Sequence, residues 1–340
     1  MTGIALAAGW AADMALGDPR RFHPVAGFGR VALALERVLY APSRVRGAVF
    51  TVTLVGGAAL AAERAARLAE RVAPRPGLGR AVVLAAVTWG SLGGRSLARE
   101  GKRIAGHAAR GEIDAAREAL PALAGRDPSQ LDGDGISRAV VESLGENTSD
   151  AVVGALVWGA VAGPAGVAAF RAANTLDAMV GHRSARYEQF GFVAAKLDDA
   201  MGWPGSRLGA LLTMILAPLV GGSPRAAWRA LRRDGGAHPS PNAGQMEAAF
   251  AGALGVRLGG PLTYGTREEI RPTLGDGRPP EPADAARAAR LSLAVGAASA
   301  VLATGAAQAV ASIRPSTSTR VSPRVVRTIR FTRLRRKATA

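Results

Sequence analysis

No cysteine occurs among the 340 residues. That absence excludes disulfides, iron–sulfur clusters, thiolate zinc sites and cysteine nucleophiles. Histidine is scarce as well. His23, His107, His182 and His238 never fall at a metal-ligand spacing such as i, i+4, so a histidine-built zinc site has no local scaffold. Aromatics are only 5% of a chain that is 48% hydrophobic. Ala and Gly therefore carry much of the apolar character, and small side chains let helices approach closely, as they do in a bilayer. Neither GxxxxGK[ST] nor GxGxxG occurs, which excludes a Walker loop and a Rossmann turn as nucleotide holders. No period-2 run marks a strand and no internal repeat is found, so the pattern reads as all-α.

Charge is present but unevenly placed. The net charge is +17, from 43 Lys and Arg against 26 acids. Nine of the basic residues and no acid fall in 314–340, which leaves +8 for the rest. A segment rich in Ser, Thr and Arg and poor in aromatics reads as disordered and solvated. Directly behind an apolar stretch, it also reads as a juxtamembrane basic segment facing anionic lipid. No recognition motif accompanies it, so nucleic acid is not an expected partner. The expected division is an integral-membrane unit over 1–313 and a separate tail over 314–340.

Five stretches carry no charge: Gly47–Ala62, Ala81–Gly94, Ala151–Phe170, Leu208–Pro224 and Leu291–Ile313. Crossing about 30 Å of hydrocarbon takes about 20 mostly apolar residues. Ala151–Phe170 and Leu291–Ile313 meet this directly, whereas Gly47–Ala62 and Leu208–Pro224 need their flanking arginines to snorkel. Ala81–Gly94 is short and reads as a buried or re-entrant piece. Met1–Leu16 is apolar but contains Asp13 and lacks a basic lead-in, unlike a cleavable signal peptide. The expected fold is an all-α, polytopic, multi-pass membrane protein with four to six apolar helices and helical polar loops.

Several polar groups interrupt this pattern. Arg95, Arg99, Lys102 and Arg103 fall on one helical face, able to clamp phosphate or to face lipid headgroups. Arg138, Glu142 and Glu146 are spaced by four and share another face. Two similar tetrads, Asn147-Thr-Ser-Asp150 and Asn174-Thr-Leu-Asp177, bracket Ala151–Phe170. Caps would explain either tetrad alone, but acids at both ends of one apolar segment are costly unless they serve a site. A straight crossing would separate them. Gly163-Pro-Ala-Gly166 lies between, and Pro breaks helical hydrogen bonding, so a broken or re-entrant element returning both tetrads to one site is the expectation. Lys196-Leu-Asp-Asp199 offers adjacent acids for Mg²⁺ and phosphate, or an ordinary ion pair. Ser240-Pro-Asn-Ala-Gly244 leads into a helix, where Asn242 and Gln245 are expected to form a capping box at an anion-receptive N-terminus.

Taken in order, these pieces resemble the adenosylcobinamide-phosphate synthase family of cobalamin biosynthesis. The likeness begins at Asp13-Met-Ala-Leu-Gly-Asp-Pro19, His23-Pro-Val25 and Gly29-Arg30. It passes through Gly125-Arg-Asp127, Ser137-Arg138, Glu142-Ser143, Glu146-Asn-Thr148 and Asp150. It continues with Arg171, Asn174-Thr-Leu-Asp177, Met179-Val-Gly181, Arg186-Tyr187, Gly191 and Leu197-Asp-Asp199. It closes with Ser240-Pro-Asn-Ala-Gly244, Glu247, Ala249-Phe250, Leu258-Gly-Gly260 and Tyr264-Gly265. Two departures stand out: 314–340 has no counterpart, and His182 stands where an aromatic often follows Met-Val-Gly.

The resemblance implies an ATP-dependent carbon–nitrogen ligase of the cell membrane. It would join (R)-1-amino-2-propanol phosphate through an amide to the free propionate of adenosylcobyric acid. A carboxylate is a poor electrophile, so activation as an acyl phosphate is expected, with Mg²⁺ and cationic donors offsetting the charge. Asp198 and Asp199, with Asp150 or Asp177, are the expected metal ligands. Arg95, Lys102 and Arg138 are the expected phosphate ligands, with Ser240 and Asn242 at the helix N-terminus. Glu142 or Glu146 is the expected general base, and Asn147 and Asn174 complete the catalytic set. Partners would be the two substrates, membrane lipid and other late enzymes of the pathway. A non-catalytic membrane scaffold for corrinoid assembly would show similar small-residue helices. A soluble helical nucleic-acid binder is favoured by net charge alone.

Overall fold

The apolar stretches are helical, and most extend well beyond their uncharged cores. The computed structural model describes residues 1–19, 23–125, 127–182, 184–264 and 267–313, and of 261–269 and 310–313 only the backbone. The basic segment 314–340, Arg126 and Gly265 lie outside the described residues. In chain order the helices are α1 (Thr2–Leu16), α2 (Pro24–Leu39), α3 (Arg44–Val72), α4 (Leu78–Ser91), α5 (Gly94–Ala109) and α6 (Ile113–Ala119). There follow α7 (Gly133–Thr148), α8 (Gly154–Leu176), α9 (Phe192–Leu216), α10 (Pro224–Asp234), α11 (Ala243–Leu254) and α12 (Pro282–Ile313). Among the described residues, five helical segments are long and apolar enough to cross a membrane: Arg44–Val72, Leu78–Ala109, Gly133–Gly181, Phe192–Val220 and Pro282–Ala309. Their outward faces carry exposed Val52, Val82, Val161, Val301 and Leu302. Exposed apolar side chains on helices of this length belong against lipid. The chain is a multi-pass helical membrane protein.

The segment between the two tetrads reverses direction. Gly163 has φ 63° and ψ −145° within α8 and is followed by Pro164, a backbone state open essentially to glycine alone. On either side, the halves of α8 pack antiparallel. Gly154 lies against the Phe170 ring, leaving no room for a Cβ, and Gly159 faces Val167. The expected broken element is thus a helical hairpin. Ala81–Gly94 differs from expectation: it is α4, and α5 prolongs it after a break at Leu92-Gly93. The break is stabilised from outside, because buried Asp13 accepts hydrogen bonds from Gly94 N (3.0 Å) and Arg95 N (3.4 Å).

The largest apolar cluster packs Ile136, Val140 and Leu144 of α7 against Phe250 of α11 and Leu291 and Val295 of α12. A second joins Leu6, Leu84, Leu156 and Phe170, and a third joins Phe50, Leu176, Val180 and Phe190. Thr148 of α7 donates to Ser292 of α12 at 2.6 Å. Helix α9 starts among Val180 and Phe190. Past its far end, the Val220 carbonyl accepts from Arg287, in the second turn of α12. It therefore traverses the bundle obliquely, with Pro204 inside it.

The fold is all-α as expected, with one short ribbon that the pattern did not mark. β1 (Leu258–Tyr264) and β2 (Arg267–Leu274) form an antiparallel ribbon with Leu258 opposite Leu274. Period-2 patterning reports a strand buried on one face, but here, among the side chains described, Leu258 and Leu274 at the base are buried while Ile270 is 84% exposed. Polar contacts to α7 hold the ribbon instead, so the alternation was never required.

Candidate active site

Both tetrads coincide with widened helical turns. The backbone is π-helical over Ser149–Val153 after α7 and again over Asp177–Gly181 after α8. Such single π turns are uncommon and concentrate at functional sites. The reversal at Gly163 sets the two tetrads side by side, and Asn174 joins them. Its Nδ2 donates to Asp150 Oδ2 at 3.3 Å and to Asp198 Oδ1 at 3.4 Å. Its Oδ1 accepts from Arg171 Nη1 at 3.1 Å. An amide has one acceptor end and one donor end, so the guanidinium fixes which end faces the acids. Arg171 is itself anchored, since its Nε and Nη2 both donate to the Ser91 carbonyl at the end of α4.

More acids surround this core. Asp198 lies in electrostatic range of Asp177, Asp199 and Glu146. Arg171 is flanked by Asp150, Asp18, Asp198 and Asp13. Lys196 pairs with Asp199 at 3.0 Å from an exposed position. Among the described residues, Arg171 and the largely solvated Lys196 stand against the cluster of Glu146, Asp150, Asp177, Asp198 and Asp199. Gathering like charges away from water is expensive unless a counter-charge is supplied. Among the described residues, no three His, Asp or Glu side chains form a ready metal cage. Mg²⁺ held with phosphates needs only one or two carboxylates and keeps several waters. The donor set fits that mode of binding, and does not fit an all-protein cage.

The Arg138, Glu142 and Glu146 face continues from this cluster toward the ribbon. Gly259 N donates to Glu142 Oε1 at 2.8 Å, and Arg138 Nη1 donates to the Gly259 carbonyl at 2.8 Å. Glu142 and Arg138 therefore grip β1, while Glu146 reaches the acids. Close by, Arg271 meets His238 Nε2 at 2.8 Å, and buried Glu247 lies 3.8 Å from the same nitrogen.

The remaining expected residues are distributed differently. Arg95 donates through its guanidinium to the Met14 and Ala15 carbonyls, closing the end of α1. Lys102 is exposed on α5. The capping box is corrected: the Asn242 side chain makes no cap bond, and Gln245 donates to the Gly235 carbonyl at 2.8 Å. Asn242 instead ties α11 to α9, donating to Asp199 O at 2.9 Å and accepting from Ser206 and Arg207. Ser240 Oγ receives Asn242 N and Ala243 N in its place. The buried packing of α11 on Gly202 and Ser206 decided this, since Gly202 leaves room for the Asn242 amide.

Two cavities open onto these groups. One, of about 420 Å³, is lined by Leu16, Gly17, Asp18, Pro19, Gly93, Ser96, Leu97, Arg99, Glu100, Ala122, Leu123 and Asn147. The other, of about 430 Å³, lies under the ribbon between Arg138, Arg257, Gly259, Gly260 and Thr273. Reading the residues had not assigned roles to Asp18, Arg171 or Ser96. Arg171 was detectable as a lone cation closing a twenty-residue uncharged stretch. Asp18 and Ser96 lie far from the tetrads along the chain and gave no spacing signal.

Comparison with known proteins identifies the family. The family model described as CobD/Cbib protein matches residues 6–292. "Cobalamin biosynthesis protein CobD" of Mycobacterium tuberculosis is 52% identical over 289 residues, covering 85% of this chain and 90% of that protein. Proteins of the same description from Geobacter metallireducens and Rhodobacter capsulatus are 42% and 39% identical, covering 80% and 81% of this chain and 86% and 88% of theirs. No solved structure matches the chain.

Proposed function

The chain belongs to the CobD/Cbib family of cobalamin biosynthesis proteins, and on that premise we propose that it is an adenosylcobinamide-phosphate synthase of the cell membrane. The reaction joins the amine of (R)-1-amino-2-propanol phosphate to the free propionate of adenosylcobyric acid as an amide. The observation that carries this reading is the junction at Asn174, which draws Asp150, Asp198, Arg171 and the neighbouring acids into one place between helices. A structural helix pair has no need for so many half-buried acids.

An amide does not form from a carboxylate and an amine in water without activation, so Mg·ATP is the proposed source of a phosphoryl group. The case for ATP is this thermodynamic demand, because among the described residues no aromatic side chain lines either cavity to receive a purine. Asp150 and Asp198 would hold the cation, with Asp177 and Asp199 supporting the local negative field. Asn174 keeps those two carboxylates apart and aimed, under the control of Arg171. Glu146 is within range of the cluster and accepts the proton the attacking amine must lose. Glu142 and Arg138 position the ribbon that roofs the second cavity.

The test is reconstitution. Purified protein in detergent or nanodiscs receives adenosylcobyric acid, aminopropanol phosphate and Mg·ATP, and the amide product is followed by mass spectrometry. Product formation with nucleotide consumed in step is expected. No product, with an active family member working in parallel, would refute the enzyme and favour a scaffold.

A further inference from the structure

Helix α10 is basic on one side and packed on the other. Ala227 and Ala230 are buried, and a Cβ at Gly252 of α11 would collide with the Ala226 carbonyl and the Ala227 Cα. The two helices therefore lie flush, which leaves the opposite side of α10 outermost. Arg225, Trp228, Arg229, Arg232 and Arg233 are exposed there. At about 3.6 residues per turn they follow one another around the helix. Trp228 stands on one flank beside Leu231, Arg232 and Arg225 stand in the middle, and Arg229 and Arg233 form the other flank.

Only that last flank meets acids. Arg233 pairs with Asp234 at 2.7 Å and with Asp276 at 3.0 Å, and Arg229 lies in electrostatic range of the same Asp276. Among the described residues, Arg225, Arg229 and Arg232 make no salt bridge or hydrogen bond. The Arg232 guanidinium rests over the Trp228 ring, 5.6 Å from its centroid. Positions i, i+4 and i+7 are neighbours on a helix, and like charges so placed repel. Three guanidiniums on one patch suit an anion bearing phosphate.

Where the helix starts indicates what carries that phosphate. The apolar segment Phe192–Val220 ends just before α10 begins at Pro224, so at most about 14 Å of chain separates them. Leu211, Ile215 and Leu219 are exposed at helical spacing on that segment, with Leu219 at its very end. An amphipathic helix with an exposed tryptophan beside arginines is the pattern of the bilayer interface, where the ring sits at headgroup level. We propose that the outer face of α10 is a docking surface for anionic phospholipid. Trp228 enters the interface, and Arg225, Arg229 and Arg232 receive headgroup phosphates. The surface is independent of the reaction assigned above.

The chain has no native cysteine, so Trp228→Cys can carry a single nitroxide. In phosphatidylglycerol nanodiscs, its collisions with oxygen and with a water-soluble nickel chelate should place it at headgroup depth. A label open to the chelate and shielded from lipid-dissolved oxygen overturns the proposal and leaves the face to a soluble acidic partner. Affinity is read by native mass spectrometry of the full chain in detergent, titrated with phosphatidylglycerol or phosphatidylcholine. Each arginine beside an anionic lipid surface contributes about fivefold, so Arg225→Gln, Arg229→Gln and Arg232→Gln together should weaken phosphatidylglycerol binding at least about tenfold. Arg225→Lys, Arg229→Lys and Arg232→Lys together should keep it within threefold. Residues 314–340 are present in every variant, so a difference between variants belongs to α10. Equal phosphatidylglycerol binding by wild type and the glutamine variant overturns the surface, as does a wild type with no preference over phosphatidylcholine. Thermal unfolding in detergent checks each fold. If the triple glutamine variant unfolds, Arg225→Gln alone decides, with at least threefold weaker binding expected and unchanged binding against the proposal.

Discussion

Asn174→Asp probes the site with the smallest change of shape. The variant keeps an oxygen to accept from Arg171 but replaces the donor NH₂ with a second acceptor. Two N–H···O contacts to carboxylates, at 3.3 and 3.4 Å, are lost. Both are long, so each is placed at the low end for hydrogen bonds to charged groups, about 1.5 kcal/mol. Their sum is about 3 kcal/mol, and repulsion among three facing carboxylates adds to it. At 1.36 kcal/mol per decade, the expected loss in kcat/KM is at least about 100-fold. The assay is amide formation at saturating Mg·ATP, paired with thermal unfolding in detergent and with Asn174→Ala as comparison. The aspartate variant should be the poorer catalyst of the two. Activity within threefold of wild type would refute the idea that Asn174 arranges the acids.

Gly163→Ala forces a Cβ onto a residue at φ 63°, ψ −145° and should cost about 1–3 kcal/mol, read as a lower midpoint of thermal unfolding; an unchanged midpoint contradicts the reversal. Glu142→Gln removes the charged acceptor for Gly259 N and should speed proteolysis within 258–274, with little change in global unfolding. Asp234 on α10 receives Arg233 at two oxygens and Gly275 N at 2.8 Å, and these donors hold its pKa below the usual carboxylate value. A depressed folded-state pKa stabilises above the unfolded value of about 3.9 and is lost as pH falls through the folded one. The α10–α12 region should therefore resist proteolysis evenly from pH 5 to 8 and weaken below about pH 4. Asp234→Asn should be weaker throughout and lack that acid dependence.

Much of the fold was legible because bilayers impose crude rules: uncharged length, small side chains and costly buried acids. The Gly163-Pro164 punctuation between matched tetrads was enough to anticipate the hairpin, since a straight helix left those acids without purpose. The ribbon at Leu258–Leu274 was not legible, because its anchor is a glycine peptide held by Glu142 and Arg138 rather than an alternating face. Asn242 had the right type and spacing for a capping box, yet its amide fits the gap over Gly202 on α9, and tertiary packing outranked the local motif. Arg95 shared a helical face with Lys102 but turns back to close α1, since open carbonyls at a helix end attract the nearest guanidinium. Local spacing shows which residues can share a face. It does not show which distant backbone groups will claim them.

The native absence of cysteine permits a direct test of the convergence itself. Asp150→Cys with Asn174→Cys, treated in native membranes with a short bifunctional thiol reagent, places one reactive group in each tetrad. Trypsin cuts at Arg171 between them, so a cross-link appears by mass spectrometry as two peptides joined. The account predicts that joined pair without prior unfolding. Two thiols that react singly but never join would mean that the tetrads stand apart, and no shared site would remain to be explained.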